Sequence, residues 1–315
     1  MAARFARTVA GSPDRRTGYD ARVKLTELGH RPLIVAAVTP LTDAGASVDI
    51  DAIGPYAAFL TEHGADGVFA CGTTGEGVLL GLDERRQVAA AFRQALSGIL
   101  VVHAGAQTTA DTVELATHAA GIGADAVAVI APPYFPLDAD ALTAHFVAAA
   151  HACEPLPFYC YAFAARSGYP LPIEVIRRVA DAAPNLAGLK VSESPFEKVA
   201  PYLELGLPVL IGSEPLIGDG LAQGAIGTVS GMASAFPDVV RVGLDAGDDA
   251  AMARMSTLRT ALEASGQFIA AGKFALGRRG VGVGPDVRPP LRQLTSEEQS
   301  SLEPAIAEFA GVPAG

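Results

Sequence analysis

Ala187-Gly188-Leu189-Lys190-Val191-Ser192 decides how this chain is read. With Leu186 before it, the stretch has the composition of a short buried strand that ends at a lysine. A long cationic side chain in a dry wall needs a partner or a purpose. Burial disfavours the ammonium and lowers its pKa, and a neutral amine can condense with a ketone to give a Schiff base. The plainer alternative is a strand-end lysine that runs its stem along the wall and keeps its charge in water. Which applies depends on what surrounds the strand.

Outward from this stretch, short β-rich apolar runs alternate with Ala-rich segments of helical period from Pro32 onward. Strands are expected at 33–38, 67–71, 99–103, 125–130, 156–161, 186–190, 208–211 and 225–229. Helices are expected at 49–63, 83–96, 108–121, 138–151, 172–182, 195–203 and 215–223, and again after Pro237. Every strand is apolar throughout, as a parallel strand covered by helices must be. Eight βα units in roughly 220 residues fit a closed (β/α)8 barrel better than an open doubly wound sheet. Beyond residue 250 the strands stop. Segments 250–264 and 267–276 read as helices, a Gly/Pro-rich loop covers 277–290, and a last helix runs from Ser296, its expected N-cap, to Phe309. The expected organisation is an N-terminal arm over 1–30, flexible in character, a catalytic barrel over 31–248 and a C-terminal helical extension over 249–315.

Half of the 315 residues are hydrophobic, enough for a large core, and the net charge of -11 argues against nucleic acid or anionic membranes as partners. No apolar run reaches the length of a bilayer-spanning helix. The first thirty residues carry Arg4, Arg7, Arg15 and Arg16 without the apolar core of a secretory signal, and Asp14 and Asp20 argue against a transit peptide. Cys71, Cys153 and Cys160 show no CxxC pairing and the histidines are scattered, so no metal site is expected and a reducing, cytoplasmic setting is.

In a (β/α)8 barrel the chemistry collects at the C-terminal strand ends. After the second strand comes Gly72-Thr73-Thr74-Gly75-Glu76-Gly77, whose amides and two hydroxyls can cradle a small anion such as a carboxylate. An ordinary glycine-rich turn is the plainer reading, and the GxxxxGK[ST] phosphate pattern is absent. The fifth strand ends in Tyr159-Cys160-Tyr161, with Arg166 five residues beyond. A tyrosine there can relay protons, and an arginine above it can grip a carboxylate with its fork. Tyr161 and Lys190 end neighbouring strands and should face each other, which suits a Schiff-base lysine beside a phenol.

Together these segments resemble the dihydrodipicolinate synthase and N-acetylneuraminate lyase family of pyruvate-dependent class I aldolases. The likeness runs from about Pro32 to Pro290 and rests on five stretches. These are Gly-Thr-Thr-Gly-Glu at 72–76, Tyr161 to Gly168, Gly188-Leu189-Lys190, Gly224 to Ser230, and Arg288-Pro289-Pro290. The resemblance implies that Lys190 forms an imine with pyruvate or a related 2-oxo acid, without any cofactor. It implies that Tyr161 relays protons, that Thr73 connects it to Tyr134 acting in the site of a neighbouring subunit, and that Thr73 and Thr74 hold the pyruvate carboxylate. Arg166 would bind a carboxylate on the second substrate. Ser213 and Glu214 would line the pocket floor, with Gly188 and Ile226 in its walls.

Some positions depart from the pattern. Ala162 and Ala164 replace an asparagine and a proline, and Pro133 stands where an extra tyrosine is common. Val78, Leu82, Arg85 and Gln107 occupy the positions of the family's lysine feedback site, so lysine inhibition is not expected. The resulting expectation is a lyase that condenses pyruvate with an aldehyde in the manner of 4-hydroxy-tetrahydrodipicolinate synthase, working as a homotetramer or homodimer. The alternatives are a 2-keto-3-deoxy sugar acid aldolase or dehydratase, an N-acetylneuraminate lyase-like retro-aldolase, and a catalytically silent 2-oxo-acid-binding module.

Overall fold

The computed structural model describes residues 25–311. Eight strands close into one barrel: β1 (Leu33–Ala36), β2 (Gly67–Ala70), β3 (Ile99–His103), β4 (Ala126–Ile130), β5 (Phe158–Ala162), β6 (Leu186–Val191), β7 (Val209–Ile211) and β8 (Gly227–Ser230). Each pairs in parallel with its sequence neighbour, and β1 pairs with β8 to shut the ring. This is the (β/α)8 architecture that the alternation implies. Helices α1 (Ile53–Glu62), α2 (Leu82–Ala95), α3 (Thr109–Gly121), α4 (Ala139–Ala152), α5 (Ile173–Ala182), α6 (Ala200–Leu203), α7 (Ile217–Ala222) and α8 (Pro237–Ala246) follow the strands in turn.

The strands are buried on both faces. One face packs a layer against the helices, with Leu33, Val68, Val127 and Leu189 in it. The other fills the barrel interior, with Ile34, Phe69, Val101, Ala128, Tyr159 and Tyr161. Leu25, 3 % exposed, joins the interior residues from below. The flexible arm expected over 1–30 lies outside the described residues up to position 24, and its last part is anchored through this leucine.

Beyond the barrel come α9 (Asp249–Glu263), α10 (Phe268–Arg278) and α11 (Ser296–Phe309). Strand ends fall within two residues of the sequence expectation, but three local features differ from it. The last helix is capped by Thr295, not Ser296: the Thr295 Oγ1 accepts from the Glu298 amide at 3.2 Å and the Thr295 amide donates to the Glu298 carboxylate at 2.8 Å. The helix expected over 195–203 is broken into a 3-10 turn, Phe196–Lys198, and α6, because Pro201 has no amide to donate. A hairpin pairing Leu41–Thr42 with Ser47–Val48 precedes α1 and was not visible as a strand pattern in two-residue arms.

Candidate active site

Strand β6 carries an irregularity that sets which way its residues face. Phe158 pairs with Leu186 but Tyr159 pairs with Gly188, so Ala187 is one residue extra. With that offset, Gly188 and Lys190 sit opposite Tyr159 and Tyr161, whose side chains fill the barrel interior. Gly188 must be glycine, since a Cβ would lie 2.5 Å from the Pro208 carbonyl oxygen and 2.9 Å from the Tyr159 ring.

Lys190 is 4 % exposed. Its Nζ lies 3.9 Å from the centre of the Tyr161 ring and 4.1 Å from that of Phe69. The amine is therefore held between two aromatic faces instead of reaching water. Burial pulls its pKa below the ordinary lysine value, while Tyr161 and Glu214 partly offset the shift. The snorkelling alternative fails on this geometry. Beside the pair, His103 stacks edge-on to Tyr161 at 6.0 Å and tilted to Phe69 at 5.9 Å. Burial and the Arg85 cation keep its pKa well below the usual histidine value, so it is neutral. Its Nε2 faces the Ile130 amide at 3.4 Å, which places the proton on Nδ1, donated to the Cys71 carbonyl at 3.1 Å.

The glycine-rich run after β2 folds into a tight loop whose ends are both left-handed, Cys71 at φ +59° and Glu76 at φ +57°. Such angles are strained for residues with a Cβ and persist only where the surroundings enforce them. The Glu76 amide donates to the Thr73 carbonyl at 3.1 Å and the Gly77 amide to the Gly72 carbonyl at 3.0 Å. A Cβ on Gly77 would overlap the Cys71 carbonyl oxygen at 1.9 Å. Thr39 donates its hydroxyl to the Gly75 carbonyl at 2.6 Å from behind. The Thr73 hydroxyl then stands 3.5 Å from the Tyr161 hydroxyl, a long contact of the kind that tightens when a ligand closes a site.

Above the loop lies a cavity of about 140 Å³ lined by Thr73, Thr74, Arg166, Gln267, Phe268 and Val287, among others. Arg166 comes from a single helical turn, Ala164–Ser167, and its guanidinium sits 5.6 Å from the Phe163 ring centre. It makes no ion pair among the described residues. The other arginine of the cavity, Arg292, is already held by both Glu298 oxygens at 2.7 Å. A larger cavity of about 560 Å³ opens at the opposite end of the barrel among Pro155, Pro157, Pro184 and Pro208. It lies at the end where the strands start, away from Lys190.

Lys190, Tyr161, Thr73, Thr74 and Arg166 are thus brought to one mouth. Tyr134 is not: it stands 82 % exposed at φ +85°, against Phe135 at 4.8 Å. Glu214 is near but enclosed, 1 % exposed, accepting from the Ser230 hydroxyl at 2.7 Å, the Met232 amide at 2.9 Å and Arg259 at 2.6 Å. Ser213 is half-buried beside it. Ile226 is displaced from its expected wall position. β8 starts at Gly227, two residues later than expected, so Ile226 lies at the N-terminal end of the barrel with Leu25 and Pro32. Val229, three residues on, occupies the interior face instead.

The pattern that defines the Dihydrodipicolinate synthetase family matches residues 30–309. The chain belongs to this family. An uncharacterised DapA-like lyase of Halobacterium salinarum is 38 % identical over 290 residues, spanning 88 % of this chain and 93 % of that protein. A 4-hydroxy-tetrahydrodipicolinate synthase of Parasynechococcus marenigrum is 34 % identical over 288 residues, 87 % of this chain and 94 % of the relative. Among solved structures, the Proteus mirabilis N-acetylneuraminate lyase superposes with a TM-score of 0.79 at 28 % identity, covering 90 % of this chain and 99 % of that one.

Within this dihydrodipicolinate synthetase family site, three contributors escaped the sequence. Phe69 lies inside an ordinary apolar strand and His103 ends another, and nothing in either run marks a cage around an amine. Glu76 was visible only as part of the glycine run, yet it is buried and paired with Lys273, which sits in a helix far along the chain. Among the described residues, no group of three or more His, Cys, Asp or Glu is placed to hold a metal ion.

Proposed function

We propose that this lyase forms an imine between Lys190 and the ketone of pyruvate or a related 2-oxo acid, and that the derived enamine adds to an aldehyde bearing a carboxylate. The observation that carries the reading is the Lys190 amine, buried between Phe69 and Tyr161 with a lowered pKa and set beside the Thr73 loop. The neutral amine attacks the ketone carbon, the Tyr161 phenol protonates the departing hydroxyl, and water leaves. Loss of a C3 proton gives the enamine, whose C3 attacks the aldehyde. The iminium is itself the electron sink, so the scheme calls for no metal or organic cofactor. The 2-oxo acid carboxylate sits on the amides and hydroxyls of Thr73 and Thr74. The synthase named among the relatives supports the condensing direction.

The similarity to N-acetylneuraminate lyase, with Ala162 and Pro133 at the rim, supports cleavage of a 2-oxo sugar acid as the second reading. Turnover of pyruvate with a panel of aldehydes, carboxylated and neutral, and of 2-keto-3-deoxy acids in reverse, separates the two. No turnover with any of them, despite an adduct on Lys190, would leave a silent binding module. Arg166→Ala is expected to raise KM for carboxylated aldehydes about tenfold, the low end for a bond to a charged group because the side chain is exposed. Neutral aldehydes should be unaffected, and an equal change for both classes would remove Arg166 from acceptor recognition.

We further propose a homodimer or homotetramer in the cytoplasm. The exposed Tyr134–Phe135 pair in a strained backbone supports a face that a second copy covers. Three free, buried cysteines support a reducing compartment. No helix of the described residues is long and apolar enough to cross a membrane. Sedimentation should show an oligomer, and Tyr134→Phe should lower kcat about 10²-fold, the low end for a proton-transfer group, while leaving that oligomer intact, because only a proton relay needs the hydroxyl. A fully active monomer would end this role.

A further inference from the structure

The buried pair Lys273–Glu76 joins the C-terminal extension to the loop that faces the substrate. Both side chains are 0 % exposed, and the Lys273 Nζ lies 2.6 Å from Glu76 Oε1 and 2.6 Å from the Asp286 carbonyl. The other Glu76 oxygen accepts the Arg288 amide at 2.6 Å. Both carboxylate oxygens are therefore gripped by α10 and the loop after it. The same Glu76 holds a left-handed backbone angle, and its own amide closes the turn on the Thr73 carbonyl. A continuous path runs from the Lys273 ammonium through the Glu76 carboxylate and amide to Thr73. Val287, between Asp286 and Arg288, lines the cavity beside Thr73 and Thr74. A buried ion pair of this sort adds little stability over well-packed apolar residues, so its effect is to be sought in the conformation it enforces.

We propose that Lys273 is a positioning residue for 2-oxo acid recognition: through Glu76 it fixes the turn that aims Thr73 and Thr74 at the substrate carboxylate. The C-terminal extension is then part of the recognition machinery instead of a buttress. The proposal rests on the reading that this loop binds the carboxylate of a Lys190-bound ketone, and the test separates the two.

Borohydride trapping on Lys190 is measured against concentration for pyruvate and for hydroxyacetone, a ketone with no carboxylate. In Lys273→Met, half-saturating pyruvate is expected to rise about tenfold or more, since small misplacements of positioning groups cost that much. Half-saturating hydroxyacetone should change less than about twofold, because nothing in it calls on the loop. The double variant Glu76→Gln/Lys273→Met should recover part of the loss by removing the unpaired buried carboxylate. Glu76→Gln alone keeps the side-chain shape and weakens the pair, and it gives the same selective rise in smaller measure if Lys273→Met does not fold. Equal weakening of both ketones, or of neither, would overturn the proposal. A wild-type chain that traps hydroxyacetone but binds pyruvate no better would overturn the carboxylate reading, and the proposal with it.

Discussion

Borohydride reduction of the protein with pyruvate is expected to add the mass of one reduced three-carbon unit to a single peptide, the one containing Lys190. Lys190→Ala should lose the adduct and at least about 10⁴-fold in kcat, the scale on which removal of a covalent nucleophile acts. Lys190→Arg is the sharper variant. It places a permanent cation between the Phe69 and Tyr161 rings, and a guanidinium stays protonated and cannot form the imine. It should be as inactive as alanine, which separates nucleophilic from electrostatic need.

The pH dependence follows from the same geometry. Burial lowers the Lys190 pKa, so the neutral fraction rises with pH through a midpoint below that of ordinary lysine. The rate of imine formation should fall tenfold for each pH unit below that midpoint, and the midpoint should lie under 10.5. An adduct on another residue, or a midpoint at the ordinary value, would overturn the assignment of Lys190.

The barrel was legible because its signal is repetitive. Eight apolar runs at regular spacing survive errors of two residues at any one boundary. The site was legible where a residue type is out of place in its surroundings, as with Lys190 in a dry strand or two threonines amid glycines. Ile226 shows the limit. In a barrel strand the position along the strand decides which end a residue occupies: the resemblance assigns the wall to Ile226, but Ile226 precedes β8 at the N-terminal end of the barrel, and Val229, inside the strand, fills the interior. Bulges are harder to read: the strand ends give the facing of Lys190 and Tyr161, but no composition rule announces the extra Ala187 through which the register achieves it. Lys273 was illegible for another reason. Its partner lies 197 residues away, and pairing over that distance is set by how α10 docks on the barrel.

The second large effect is expected at Tyr161. Tyr161→Phe should lower kcat about 10²- to 10⁴-fold, the range for loss of one proton-transfer group, and slow imine trapping in parallel. The ring is what Lys190 packs against, so the variant keeps that face and should melt near the wild-type temperature. In the proposed relay the two hydroxyls of Thr73 and Tyr161 would act in series. Tyr161 would deliver the proton to the departing hydroxyl, and Thr73, 3.5 Å away, would return one to it. Thr73→Val alone should therefore cost less, because water can substitute as the distal donor. The double variant should be no slower than Tyr161→Phe, since a relay with its first member gone has nothing left for the second to feed. If the two losses instead multiply, the hydroxyls act on separate steps. In that case Thr73 holds the carboxylate and takes no part in moving protons.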